Sequence, residues 1–378
     1  MYSLSPGTLK LMFLPTSVWM SSLVVFTAVA GPVFAVIISI KSIGRFINRK
    51  NKLNISELVS PTISPVSGHA LSRRELIAGS GGLLIPCILA ATSYEAYSSI
   101  DTIDITHELP IQIPHLPRSM EGLRVVQITD LHVGPYLGKG ALQHMVTLIN
   151  ELVPDLVLIT GDMIDRSISD LPKALRELKE IHSSLGTYAV LGNHDISSDA
   201  YSRSGDRIGG INIANGFDSI GIQTLRNEIA YVSSGQDRLA LLGLDWLSQP
   251  GDPRFYSYRQ PETCSQLSRL MEQLDPGTPT ILLAHHPDTF EDAAPLGIGL
   301  TLSGHSHGGQ IVLANINDVP ISLATMRFRY VSGLYQVNGS SLYVNRGIGY
   351  FGIPVRINCR PEISVFKLLR NNGGIRTS

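Results

Sequence analysis

Residues 187–195 read Thr-Tyr-Ala-Val-Leu-Gly-Asn-His-Asp, an apolar run that ends in a polar tetrapeptide. The run predicts a buried strand, and the tetrapeptide predicts the turn at its end. The amide oxygen of Asn193 can bind a metal ion while the imidazole of His194 acts on a substrate. Gly-Asn and Asn-His are also ordinary turn dipeptides. Whether this stretch is a functional site or an ordinary turn therefore depends on the rest of the chain.

Four further apolar runs end in polar residues. They are Leu123–Thr129 before Asp130-Leu131-His132, Leu156–Thr160 before Gly161-Asp162, Thr280–Ala284 before His285, and Leu300–Ser303 before Gly304-His305-Ser306-His307. Helical periodicity at about 139–152 and 170–184 separates the first three strands of the chain, which predicts βαβ units. Since ligands collect at strand ends in open α/β sheets, we expect one site that gathers these polar residues.

The polar residues at the strand ends form a set of metal ligands. Asp130 and His132 are two apart on a segment expected to be extended, so both point to one side. Asp162 has two oxygens and is able to bridge two ions. The first ion takes Asp130, His132 and His307, and the second takes Asn193, His285 and His305. Carboxylate, amide and imidazole ligands favour Mn, Fe or Zn.

Two ions roughly 3.5–4 Å apart clamp a phosphate and favour in-line displacement by water. His194 is then the expected acid for the leaving oxygen. Asp195 is expected to orient His194 through its second ring nitrogen. Each motif alone is open to a simpler interpretation, such as a polar turn or a single-metal loop. All five occur in order and each follows a strand, which favours the dinuclear site.

This series of motifs resembles the calcineurin-like metallophosphoesterase superfamily. The resemblance implies an α/β fold, a four-layer αββα sandwich, and the ligand division given above with Asp162 as the bridge. It also implies that His285, rather than His286, is the ligand. Asp165-Arg166 is similar to a motif of protein Ser/Thr phosphatases, but Ser167 and Asp195 depart from that pattern.

A closer resemblance is to the bacterial membrane-associated phosphodiesterase branch. It rests on Gly-His-Ser-His-Gly-Gly-Gln at 304–310 and on the stretch from Pro354 to Ile363. Some members of that branch cleave the pyrophosphate of UDP-2,3-diacylglucosamine. The resemblance implies a phosphodiester or pyrophosphate substrate, and a lipid or envelope precursor is one candidate.

The N-terminal quarter predicts membrane attachment. No charged residue occurs from Leu11 to Ile40, which exceeds the ~20 residues that span a bilayer. We expect spans at about 14–40 and 76–92, with a basic loop between them that the positive-inside rule places in the cytoplasm. The second run follows Arg73-Arg74 and resembles a twin-arginine export signal, whether cleaved or retained. Either interpretation places the catalytic domain on the outer side of the cytoplasmic membrane. If only the first segment spans, the catalytic domain is instead in the cytoplasm.

The domain boundaries follow from these patterns. Residues 1–95 form the expected anchor region, 101–369 the catalytic domain and 370–378 a flexible tail. The segment 196–262 is interpreted as an insertion that shapes the substrate pocket. Arg346 and Arg356 are candidate phosphate contacts, because guanidinium groups match phosphate oxygens.

The composition of the chain argues against a nucleic-acid-binding protein and a disulfide-rich one. The formal net charge is −1 and the pI about 6.8, so no basic surplus points to nucleic acid. The three cysteines form no metal or disulfide spacing. The sequence predicts a membrane-anchored, dinuclear-metal hydrolase of phosphodiester or pyrophosphate bonds. The alternatives are a UDP-2,3-diacylglucosamine diphosphatase, a nuclease or nucleotide pyrophosphatase, and a metal-bound adaptor without enzymatic activity.

Overall fold

The structure is a computed structural model that describes residues 102–197, 208–246, 261–316 and 319–371. Both predicted membrane spans, the twin arginine and almost all of the predicted tail lie outside these ranges. Within them, no helix has the length and apolar character needed to cross a bilayer.

The first sheet carries the three strands whose ends were predicted to bear Asp130, Asp162 and Asn193. Its seven strands are β1 (Asp104–Ile105), β2 (Leu109–Ile113), β3 (Arg124–Ile128), β4 (Leu156–Thr160), β5 (Thr187–Val190), β6 (Ile222–Thr224) and β15 (Glu362–Arg370). The order is β1-β15-β3-β4-β5-β6, and β2 also pairs with β15. Strands β3 to β6 are parallel, whereas β15 runs antiparallel to β3.

The second sheet carries the strands that precede the late histidines. Its six strands are β7 (Glu228–Ser234), β8 (Asp237–Leu244), β9 (Thr280–Ala284), β10 (Leu300–Ser303), β13 (Gly333–Val337) and β14 (Ser340–Val344). The order is β13-β14-β10-β9-β8-β7, with parallel pairing from β14 to β8. A separate hairpin pairs β11 (Ala314–Ile316) with β12 (Val319–Ile321).

The described helices cover the outer faces of the two sheets. They are α1 (Lys139–Glu151), α2 (Leu171–Leu178), α3 (Asn193–Ser197), α4 (Ile208–Asp218), α5 (Pro261–Glu272) and α6 (Phe290–Ala293). Helices α1, α2 and α4 pack on the first sheet, and α5 and α6 pack on the second. A third apolar cluster lies between the sheets. The residues described thus form the αββα layers that the resemblance implied.

The apolar pattern explains why the strands are buried on both faces. Leu156–Thr160 is buried at every position, with Val157 and Ile159 facing the helices and Leu156 and Leu158 facing the other sheet. Burial of this kind contributes roughly 25 cal/mol per Å² of apolar surface. It also fixes the register, because a one-residue shift would exchange the two faces.

The predicted helix at 170–184 is shorter than expected. It ends at Leu178, and a 3₁₀ turn over Ile168–Asp170 precedes it. The side chain of Asn150 donates to the Glu180 carbonyl and accepts from the His182 amide, at 2.8 and 2.9 Å. These bonds hold the chain in a turn where the periodicity alone predicted another helical turn.

The interpretation of 196–262 as an insertion is wrong for its described part. Residues 208–246 contain α4 and three strands, and β8 lies inside the second sheet beside β9. The run Leu239–Leu244 is buried throughout. The Gly, Ser and charged residues around it lowered the average hydrophobicity of the region and concealed a core strand.

Candidate metal centre

The two sheets bring all seven predicted ligands to one place. Asp130 and His132 follow β3, Asp162 follows β4, Asn193 begins α3 after β5, His285 follows β9, and His305 and His307 follow β10. All except the half-buried His305 are buried. The parallel strands of both sheets end in these residues, and acids and imidazoles thereby lie against each other inside the protein.

Asp130, His132 and His307 form the first group. The Nε2 atoms of His132 and His307 are 3.0 Å apart, and the Oδ1 of Asp130 lies 3.2 Å from His307 Nε2 and 3.8 Å from His132 Nε2. Two nitrogens bound to one ion at about 2.0–2.1 Å are separated by roughly 3–3.5 Å. The first group therefore converges as ligands of one ion do.

Asp162, His285 and His305 form the second group. His285 Nε2 lies 3.1 Å from Asp162 Oδ2 and 3.2 Å from His305 Nδ1. The same Asp162 Oδ2 is 3.6 Å from Nε2 of His132, which belongs to the first group. Within each group the potential ligand atoms lie within 4.8 Å of one another. Asp162 thus faces both groups with a single oxygen.

Two buried oxygens at this place have no hydrogen-bond donor. They are Asp130 Oδ1 and Asn193 Oδ1. A buried polar atom without a partner costs about 1–3 kcal/mol. The cost is explained if a cation binds these oxygens, and the oxygen and imidazole donors fit a divalent transition metal.

The backbone at the ligands is strained. Asp130, His132, Asp162, His305 and His307 all have φ between +43° and +68°. Such left-handed conformations are uncommon outside glycine and accumulate at functional sites. The expectation of an extended Asp130–His132 segment is therefore wrong, although both side chains do reach the first group.

Glycines next to the ligands permit close approach of neighbouring strands. A Cβ atom at Gly192 would lie 2.1 Å from Asp162 Oδ1, and one at Gly304 would lie 2.2 Å from Asp130 Oδ2. Both distances are far inside van der Waals contact. No larger residue fits at either position while the carboxylate keeps its place.

Gly192→Ala is expected to displace the Asp162 carboxylate and weaken metal binding by about tenfold or more, the scale of altered support around a ligand. Isothermal titration with Mn²⁺ measures this effect. Gly221→Ala is the control for a glycine substitution, because no atom lies within 4 Å of a Cβ built there. Alanine at the positive φ of Gly221 should lower the stability of the fold but not disturb the metal ligands. The metal affinity of this variant should therefore equal that of the wild type. Equal affinity in Gly192→Ala would contradict the packing argument.

The carboxylates and imidazoles of the two groups shift each other's pKa values. Burial opposes ionisation of Asp130 and Asp162, but nearby histidines outweigh it and hold both pKa values below their usual range. Against the effect of burial, Asp130 and its neighbouring carboxylates raise the pKa of His132 to about 10, and Asp162 raises that of His285 to about 9. The carboxylates therefore attract positive charge, and a bound cation competes with protons on these two imidazoles.

The orientation of His194 differs from the prediction. Its Nδ1 lies 2.7 Å from the carbonyl oxygen of Asp165, which only accepts, so Nδ1 carries the hydrogen. The carboxylate of Asp195 accepts instead from the backbone amides of Met163, Ile164 and Gly192, at 2.9–3.1 Å. The prediction that Asp195 orients His194 is replaced by a role for Asp165.

Asp195 supports the loops of the site. Its carboxylate accepts hydrogen bonds from three backbone amides and so links the turn after β4 to the turn after β5. The His194 amide in turn donates to Asp162 Oδ1 at 2.8 Å. The catalytic candidate and the bridging ligand are thus held by the same pair of turns.

Arg346 and Arg356, the predicted phosphate contacts, both bind other groups of the protein. Arg356 is fully buried and donates to backbone carbonyls, including those of Gly349 at 2.6 Å and Arg346 at 3.0 Å. Arg346 is hydrogen-bonded to Glu362 and Asp104. The acceptors of Arg356 are mostly backbone oxygens, which no residue type reveals, and those of Arg346 are carboxylates, of which Asp104 is distant in the sequence.

Arg356→Met is expected to lower the free energy of unfolding by about 3 kcal/mol. The loss leaves several buried carbonyls without their charged donor. Chemical denaturation measures the change. Arg360→Met is the matched control, because Arg360 is only half-buried and lies 3.9 Å from Asp104. Its stability should be within about 1 kcal/mol of the wild type. Equal stability of both variants would show that Arg356 is not a structural residue.

Residues beyond the predicted set complete the surroundings. Asp165 lies 3.6 Å from His132 Nδ1 through its carboxylate, in addition to its bond with His194. Trp246 packs its ring against His285 and His305, at 5.8 and 5.1 Å between centroids. Trp246 follows the strand that was missed, so recognising β8 as a strand would have placed it at the same edge.

The sequence matches the family described as calcineurin-like phosphoesterase over residues 123–309. It is 33% identical over 290 residues to a Danio rerio "Transmembrane protein with metallophosphoesterase domain", covering 75% of this chain and 60% of that protein. It therefore spans little more than half the length of that relative.

Two bacterial relatives are covered more fully. The "Uncharacterized metallophosphoesterase YkuE" of Bacillus subtilis is 30% identical, with 80% of this chain and 99% of that protein aligned. The "UDP-2,3-diacylglucosamine pyrophosphatase LpxG" of Chlamydia trachomatis is 28% identical, with 69% and 87% aligned. Together with the convergent ligand groups, these matches show that the chain belongs to the calcineurin-like phosphoesterase family.

Proposed function

We propose that the chain is a dinuclear-metal hydrolase of phosphodiester or pyrophosphate bonds. The observation that carries the proposal is the position of Asp162 Oδ2, which lies 3.1 Å from an imidazole of the second group and 3.6 Å from one of the first. An oxygen shared by two groups of ligands is what a pair of neighbouring ions requires.

The predicted division of the ligands is kept in this proposal. Asp130, His132 and His307 would hold the first ion, Asn193, His285 and His305 would hold the second, and Asp162 would be shared between them. Two such ions supply charge that stabilises a phosphate in displacement and lower the pKa of water. Mn, Fe or Zn suits the donor set.

His194 is the proposed acid for the leaving oxygen. The Asp165 carbonyl fixes its ring by accepting from Nδ1, which leaves Nε2 as the atom that exchanges a proton with the substrate. The ring is also 4.6 Å from that of His132, so it stands beside the first ion's ligands. Asp195 contributes by holding the two turns together.

The proposed substrate is a lipid or envelope precursor at the cytoplasmic membrane, with the catalytic domain on the outer side. Three points support this proposal. The sequence predicts spans at 14–40 and 76–92 that would anchor the chain, the Danio rerio relative is named a transmembrane protein, and the Chlamydia trachomatis relative is named a UDP-2,3-diacylglucosamine pyrophosphatase.

That last relative favours a second candidate, a UDP-2,3-diacylglucosamine diphosphatase. The family resemblance implies that the substrate of such an enzyme faces the cytoplasm, which conflicts with the outer location proposed above. Hydrolysis of UDP-2,3-diacylglucosamine, compared with that of other phosphodiesters, separates the two candidates. A metal-bound adaptor without activity is disfavoured, because no predicted ligand is missing: six converge in two groups and the seventh, Asn193, is buried.

The test is hydrolysis of bis(p-nitrophenyl) phosphate by the purified full-length chain. We expect turnover with Mn²⁺ that is lost in EDTA and restored by added Mn²⁺. A chain that binds no divalent metal and hydrolyses no phosphodiester with any of them would refute the proposed function.

A further inference from the structure

An exposed apolar surface lies next to the metal centre. It consists of six side chains that we call the apolar rim: Leu313, Ile316, Ile321, Leu323, Met326 and Phe351. Leu323 and Met326 are 75% and 85% exposed. Isolated apolar side chains are normal on a surface, whereas a group of them beside a site marks an interaction surface.

The rim continues in the sequence from the loop that carries His305 and His307. The hairpin of β11 and β12 follows His307 by a few residues, and the Leu313 amide donates to the Ile321 carbonyl at 2.8 Å. A Cβ built at Gly309 would lie 2.3 Å from Ser322 Oγ, so the hairpin is in close contact with the loop. Phe328 extends this contact by packing its ring 5.3 Å from that of His305.

Phe351 is the rim residue whose ring packs near the imidazoles of the centre. Its ring lies 6.1 Å from that of His194 and 6.0 Å from that of His307, although 59% of the residue is exposed. The side chain of Gln310 accepts from the Phe351 amide at 2.8 Å and donates to its carbonyl at 3.0 Å. These two bonds fix the backbone that carries this exposed aromatic ring beside the site.

Two arginines and one acid lie within or next to the rim in the sequence. Asp318 stands between Ile316 and Ile321, no Asp or Glu occurs from Val319 to Pro361, and Arg327 and Arg329 lie exposed just after Met326. Glu291 pairs with Arg329 at 2.7 Å and offsets part of this charge. Apolar side chains next to arginines are the combination that inserts at an anionic bilayer surface.

We propose that the apolar rim rests on a bilayer containing anionic lipid and turns the metal centre toward it. The uncharged stretch from Leu11 to Ile40 predicts that the chain is tethered there. A second copy of the chain is a poorer occupant, because a two-fold contact would bring Arg327 close to its own equivalent. The delivery of a lipid-linked substrate by this contact rests on the proposed hydrolase function, whereas the contact itself does not.

The test uses the full-length chain reconstituted in vesicles of phosphatidylcholine and phosphatidylglycerol. A trace of phosphatidylcholine carries a photoreactive diazirine at the end of an acyl chain. After illumination, mass spectrometry identifies the peptides that carry lipid. We expect lipid on the peptide that contains Leu323 and Met326, with a higher yield than in vesicles of phosphatidylcholine alone.

Leu323→Ser/Met326→Ser is expected to lower the labelling of that region at least about fivefold, because both side chains lose apolar area. Val153→Ser is the matched control, since Val153 is 73% exposed and precedes β4, at the opposite end of the strand from the ligands. It should leave the labelling unchanged. Thermal unfolding of all three proteins checks that they remain folded.

The rim proposal is overturned if the wild-type rim peptide carries no lipid or if the double variant is labelled equally. Equal yields from the two kinds of vesicle overturn the choice of anionic lipid. Hydrolysis of bis(p-nitrophenyl) phosphate by the same samples separates the two proposals. A labelled but inactive wild type refutes the hydrolase, and an active but unlabelled one refutes the rim.

Discussion

Asp162→Asn is expected to release both metal ions and to reduce phosphodiester hydrolysis by roughly 10³-fold or more, since metal ions stabilise the transition state by several kcal/mol. The reason is the shared position of Asp162 Oδ2 between the two groups. The amide has the same size but lacks the charge, so it cannot hold two cations. Metal content by plasma mass spectrometry and kcat/KM measure the two effects.

The variant should remain folded. In the metal-free protein, the substitution removes the cost of burying the Asp162 carboxylate, and His285, whose raised pKa depends on that carboxylate, can lose its proton. The amide oxygen can still accept from the His194 amide, which lies 2.8 Å from Asp162 Oδ1. Asp237→Asn, at an exposed carboxylate, is the control and should match the wild type. Retention of two ions by Asp162→Asn would refute the bridging role.

His194→Ala is expected to reduce kcat by about 10²–10⁴-fold while both ions remain bound, because the lost group transfers a proton and binds no metal. The reduction should depend on the leaving group. p-Nitrophenolate leaves without much help from an acid, so bis(p-nitrophenyl) phosphate should show the smallest loss. An alkyl phosphodiester, whose leaving oxygen is far more basic, should show the largest.

This dependence distinguishes acid catalysis from mere damage to the site. A variant with disturbed metal ligands would lose activity equally with both substrates. His182→Ala, at an exposed histidine outside the site, should keep full activity. Full activity of His194→Ala with both substrates would refute the assignment.

The strands and their polar ends could be predicted because each combines two strong local signals. Thr280–Ala284 and Leu300–Ser303 were predicted with the bounds that the structure shows. Each is a short apolar run that stops at a ligand. The division into two sheets, by contrast, depends on pairing between distant strands, and only the family resemblance implied it.

Other parts of the site depend on contacts that no local pattern contains. The Asp165 carbonyl is a backbone group, so its bond to His194 leaves no mark on residue type. Arg356 looked like a phosphate contact, yet it is buried among carbonyls. The left-handed backbone at Asp130 and His132 is likewise stabilised by the surrounding turns rather than by either residue's own preference.

The dinuclear centre is tested most directly by anomalous X-ray diffraction from crystals of the chain grown with Mn²⁺. We expect two anomalous peaks about 3.5–4 Å apart, with Asp162 between them. One peak should be bounded by Asp130, His132 and His307, and the other by Asn193, His285 and His305. A single peak, or no peak among these side chains at saturating Mn²⁺, would contradict the account.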